Sequence, residues 1–211
     1  MEGIEVTLKI GLPEEMRADA ALLYLDAFDL KLGPILGRDE RAVGYMFDVL
    51  ELGHALIAMG PDGDLVGLAG FHDHAGGLVG GGFGDLWRWY GFVGACWRGA
   101  LLSFFERAPG GNQLLMDGVV VTTQARGKGV GGKLLEGMEQ IAQVRALDEI
   151  RLDVVDTNPR ARALYEREGF VPAGEESVWP LHHVFGFRRA TTMVKAVPKL
   201  KPAPGRTPLT P

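Results

Sequence analysis

The chain has 211 residues, 46% hydrophobic and 23% charged, with a net charge of −5. This is the balance of a globular protein long enough to bury its own core, and it excludes a broad nucleic-acid footprint. Cys96 is the one cysteine, so no internal disulfide forms and a reducing compartment is expected, with the thiol buried as a small apolar group. The opening residues Met1-Glu2-Gly3-Ile4-Glu5 have no basic or apolar leader, and no stretch is long and apolar enough for a bilayer. The expected location is cytoplasmic, with neither membrane nor nucleic acid as partner.

Ile4 to Ile10 alternates apolar and polar residues, the period of a strand. Pro13-Glu14-Glu15 opens a helix, with Leu22, Leu23, Leu25 and Phe28 as its expected apolar face. A second short helix is expected over Glu40 to Leu50. His54 to Met59 and Asp64 to Phe71 flank the turn signal Gly60-Pro61-Asp62-Gly63 and predict a hairpin. Residues 76–112 are rich in glycine and aromatics and predict a helical insertion covering the sheet or lining a pocket.

Leu114 to Thr123 predicts a strand. Val130 to Val144 predicts a helix with Val130, Leu134, Leu135, Met138, Ile141 and Ala142 on one stripe. Ile150 to Val155 is another alternating segment. Asn158 and Pro159 cap and open a helix that ends at Gly169. Phe170 onward returns to the sheet, and Arg188 to Val197 is the last predicted strand. One domain over 1–197 and a proline-rich tail over 198–211 complete the expected organisation.

The segment Arg126-Gly127-Lys128-Gly129-Val130-Gly131-Gly132 lies where a strand passes into a helix. Glycines let backbone N–H groups approach a ligand, and a helix start offers unpaired N–H groups and a positive dipole end. Together they make an anion site suited to phosphate. Three motifs overlap. Gly127 to Lys133 nearly forms a P-loop, but Leu134 stands where a magnesium-binding hydroxyl is needed. Gly127, Gly129 and Gly132, followed by Asp153, also satisfy a dinucleotide fingerprint, although too little chain follows for such a fold.

The third pattern is Arg126-x-x-Gly129-x-Gly131 followed by Leu134-Leu135, with Asn158, Leu164-Tyr165 and Gly169-Phe170 further on. Over roughly residues 114–171 the chain resembles the GNAT superfamily of acyl-CoA N-acetyltransferases. The resemblance implies an α/β (α+β) fold: a mixed, splayed sheet of about six to seven strands flanked by helices, with the helical insertion before the fourth strand. It implies transfer of an acetyl group from acetyl-CoA to a primary amine of a small molecule or peptide, by direct attack in a ternary complex and without a metal. Arg126, Gly127, Lys128, Gly129, Val130, Gly131 and Gly132 would hold the pyrophosphate. Val119 and Val121 would bond the pantetheine arm through their backbone, and Asn158 would contact the coenzyme. Tyr165 matches the position of the general acid.

The proton acceptor is not fixed by the motifs, and Asp153 and Asp117 are the two candidates. His72-x-His74 and His182-His183 raise a metal site, but no carboxylate or cysteine stands at ligand spacing. O-acyl or longer-acyl transfer, and acyl-CoA sensing without catalysis, remain alternatives on the same scaffold. Edge strands leave pairing into a homodimer open.

Overall fold

Seven strands form one sheet in the order β1-β2-β3-β4-β5-β7-β6 in the computed structural model, which describes residues 4–105 and 110–199. The strands are β1 Thr7–Ile10, β2 Ala55–Met59, β3 Leu65–His72, β4 Gln113–Val121, β5 Glu149–Val155, β6 Val171–Ser177 and β7 Arg189–Ala196. Every pairing is antiparallel except β4 with β5. This mixed order is that of the expected acyltransferase sheet, and it does not fit the parallel sheet of a dinucleotide fold.

Two apolar layers cover the sheet. On one face α5, Val130–Val144, buries the predicted stripe against Leu56, Phe71, Leu114 and Ile150, and α6, Pro159–Arg167, adds Tyr165. On the other face lie α1 Arg17–Ala27, α2 Asp29–Leu36, α3 Glu40–Val49 and α4 Phe83–Phe105, with the short α7, His182–Phe185, against α2. Among the described residues no helix is long and apolar enough to cross a membrane.

Several expectations change. The first strand begins at Thr7 rather than Ile4. The first helix buries Ala20, Ala21 and Tyr24 and packs Leu23, Leu25 and Phe28 half-buried against the same core as expected, while Leu22 faces out. The helix α2 was not legible, because Gly33 and Pro34 are breakers by propensity. It persists because Leu32, Ile35 and Leu36 are buried, and Gly37, at φ 91°, ends it.

The insertion is helical, as expected, but it breaks at Gly91 and covers the α1–α3 layer with one side only. Phe83, Trp87, Phe92, Val93 and Trp97 stay exposed. Cys96 lies on that outer side and is exposed, correcting the expectation of a buried thiol. Residues 106–109 of the insertion and 200–211 of the tail fall outside the described residues.

Candidate active site

Strands β4 and β5 pair only from Gln113–Met116 to Glu149–Leu152, although β4 continues to Val121 and β5 to Val155. Beyond Met116 and Leu152 the two strands part. The cause lies in β4. Its register against β3 passes from Met116↔Phe71 to Gly118↔Gly70, so Asp117 is an extra, bulged residue. Gly118 takes φ 137°, which a side chain resists. One step beyond the last β4–β5 pair, the register brings up Asp117 and Asp153, each half-buried.

At one side of this gap stands the N-terminus of α5. Gly129 precedes it at φ 84° and no side chain caps it, so the first-turn N–H groups of Val130, Gly131 and Gly132 are presented outward. A Cβ built on Gly127 or Gly129 would meet nothing within 4 Å, which leaves open space over the loop. Gly131 has a different reason to be small: a Cβ there would come 3.0 Å from Leu164 of α6. Val130 contributes only its backbone, because its side chain is in the core. Lys128 is exposed, and Arg126 folds back so that its Nε donates to the Val121 carbonyl at 3.1 Å.

Helix α6 closes the other side. Asn158 accepts from the Ala161 N–H at 3.1 Å, a helix cap. Tyr165 is buried, and its oxygen would lie 3.6 Å from a Cβ on Gly118. Burial pushes the phenol up from its usual value, and the Val119 N–H donating to it pulls the other way. The group keeps its proton throughout the neutral range. Phe28, at the end of α1, reaches the same glycine, 3.4 Å from that Cβ.

The two acids differ. Asp153 accepts from the Thr192 hydroxyl at 2.6 Å, across the β5–β7 ladder. Asp117 lies 2.8 Å from His72 Nε2 through one oxygen, while its other oxygen is buried without a hydrogen-bond partner among the described residues. The Tyr24 phenol is pushed well up by burial and then by the Asp117 charge. The sequence offered no sign of His72, Tyr24, Phe28 or Gly118 at this place.

The other histidines go elsewhere. His74 lies beyond the end of β3, and His182 and His183 stack at 3.9 Å on α7. There His182 lines a recess of about 320 Å³ with Ser177, Trp179, Arg188 and Arg189.

Comparison with known proteins bears on this geometry. A bovine (Bos taurus) thialysine N-ε-acetyltransferase is 30% identical over 95 residues, 44% of this chain and 54% of the relative, so the chain matches about half of that protein's length. A crystal structure of an acetyltransferase superposes with a TM-score of 0.59 at 20% identity, covering 91% of this chain and all of the other (100%). A GNAT superfamily phosphinothricin acetyltransferase from Sinorhizobium meliloti, solved in complex with AcCoA, gives 0.58 at 14% identity and covers 96% of each chain. At these identities the two structures establish the fold. The profile described as "Acetyltransferase (GNAT) family" matches residues 34–170, most of the chain and all of the parted strands, the glycine loop and α6, and the chain belongs to that family.

Proposed function

We propose that this chain transfers an acetyl group from acetyl-CoA to a primary amine in a ternary complex. The observation that carries the reading is the gap between β4 and β5, with an uncapped helix start on one side and a protonated phenol on the other. Acetyl-CoA supplies an activated thioester and a diphosphate. The residues present fit such a group: open space above Gly127 and Gly129 admits a diphosphate against backbone N–H groups, and the unpaired stretch of β4 offers its edge to an extended arm.

The roles follow from position. The N–H groups of Val130, Gly131 and Gly132 bind phosphate oxygens, with Gly127, Lys128 and Gly129 shaping the approach. Arg126 swings from the Val121 carbonyl to add charge, which releases that carbonyl for the arm. Val119 and Val121 act through their backbone. Tyr165 holds a proton for the departing sulfur, and its buried, neutral state supports catalysis rather than sensing. Asn158 holds the start of α6 and, through it, the placement of Tyr165. Asp117 takes the acceptor's proton in preference to Asp153, whose carboxylate is engaged with Thr192.

An amine acceptor is also supported by the thialysine-acetylating relative. The test is thiol release from acetyl-CoA with a panel of amino acids, polyamines, aminoglycosides and peptides, alongside matched alcohols. Release with one class of amines is expected. Release only with alcohols, or with longer acyl donors only, would move the assignment to another acyl transfer.

A further inference from the structure

Strand β3 ends on His72, opposite Leu115, and β4 bulges two residues further on, at Asp117. The side chains of His72 and Asp117 meet at 2.8 Å between Nε2 and Oδ1, and are 26% and 18% exposed. The imidazole is walled in on its far side: a Cβ on Gly77 would fall 1.8 Å from its Nδ1, so the glycine backbone presses against the ring. Asp117 is thereby held in one orientation. Its Oδ2 is buried beside Gly70, 2.6 Å from where a Cβ of that glycine would stand, with no hydrogen-bond partner among the described residues. A buried carboxylate oxygen left without a donor is costly, and such a vacancy has a use where an incoming donor fills it.

We propose that His72 is a positioning residue for the acetylation site, fixing Asp117 so that its second oxygen receives the proton of the acceptor ammonium, and that protonation of His72 switches this off. The inference rests on the amine-acetylating reading above. In the step itself an N–H bond of the ammonium breaks, an O–H bond forms at Asp117 Oδ2, and the electron pair stays on nitrogen as the attacking lone pair. Asp117 gives the proton to water as departure of the product opens the oxygen to solvent.

The switch follows from charge. A neutral His72 donates through Nε2 and leaves the carboxylate charge for the ammonium. An imidazolium at the same place neutralises that charge and repels the arriving cation. The hydrogen bond to Asp117 raises the His72 value above its ordinary one; burial lowers it, the Asp117 charge raises it, Lys31 of α2 lowers it, and Asp73 raises it. Tyr24 of α1 faces the carboxylate from the other side and stays protonated. Turnover is therefore expected to rise with pH through a value above the ordinary one for histidine.

The experiment has two arms. In the first, the imidazole is titrated by NMR in the protein alone, with His72→Gln used for assignment. His72 is expected to titrate above its ordinary value in the wild type and to drop in Asp117→Asn. In the second, rates with the best amine are taken across pH. His72→Ala is expected to lose about 100-fold in kcat, the scale of a misplaced reacting group, at unchanged KM for acetyl-CoA. His72→Gln keeps an N–H donor at the Nε2 position, so it should regain most of that loss while its acid limb disappears. Gly77→Ala pushes the ring aside and should reproduce the kcat loss in a second way.

An unchanged titration in Asp117→Asn, or an acid limb that persists in an active His72→Gln, would overturn the role of His72 alone. Failure of the wild type to acetylate any amine would instead overturn the functional reading, and the catalytic use of the pair with it.

Discussion

The phenol oxygen of Tyr165 and the backbone of Gly118 meet inside the sheet, 3.6 Å from where a Cβ of the glycine would stand. Two parts of the chain that share no local contact are thus brought to one point: the bulge of β4 and the buried face of α6. Tyr165→Phe removes one oxygen there and leaves the ring packed on Phe170. Turnover should fall by about 10²- to 10⁴-fold, the usual weight of a lost general acid. Stability should fall by about 1 kcal/mol, the net worth of one hydrogen bond. Steady-state rates and melting curves check both, and unchanged turnover removes Tyr165 from the chemistry.

Gly129 holds the turn into α5 at φ 84°. Gly129→Val must force a branched residue into that conformation, which costs about 1–2 kcal/mol, and it fills the open space above the loop. Acetyl-CoA affinity measured by calorimetry should fall well beyond what the stability loss explains. Equal affinity would place the diphosphate elsewhere.

Gly44 lies under the indole of Trp89, with a Cβ expected 2.2 Å from the ring. The ring is pinned by its own N–H, which donates to Asp48 at 2.9 Å. Gly44→Ala should therefore destabilise the chain by about 1–3 kcal/mol, as overpacking does, and loosen α4 from α3. Hydrogen exchange along α4 measures the loosening, and unaltered protection there would refute this packing.

The pairing of His72 with Asp117 has a consequence for stability as well as for rate. A histidine whose folded value is raised adds stability that is complete below its unfolded value of about 6.5. That stability is lost as pH rises through the higher folded value. While Asp117 is ionised, the melting temperature of the wild type should exceed that of His72→Gln most on the acid side of this window. The difference should shrink steadily above it. A gap that widens with pH would reverse the sign of the coupling.

The elements proposed to hold the coenzyme were legible in the sequence, and those proposed to meet the acceptor were not. The loop from Arg126 to Gly132 and the helix from Asn158 to Phe170 are marked by glycines, a cap and single side chains at fixed spacing, so residue type alone betrays these elements. His72 and Asp117 are 45 residues apart and meet only because β4 gains one residue against β3. A bulge of that kind leaves no mark beyond a glycine, Gly118, just before a run of valines. Helix α2 escaped because Gly33 and Pro34 argue against a helix that burial sustains. Cys96 misled because a free thiol is usually buried, whereas α4 turns a wide aromatic side outward.

The central claim is that the glycine-capped start of α5 grips the diphosphate of acetyl-CoA. Its most direct test is the melting temperature with ligand at about 100 times its Kd, where binding adds about 2.7 kcal/mol. For a chain of this length that corresponds to a rise of roughly 5–10 °C. Acetyl-CoA should produce that rise, Gly129→Val should lack it at the same concentration, and ATP with magnesium or NAD should produce none. No rise with acetyl-CoA, or a larger one with either nucleotide, would contradict the account.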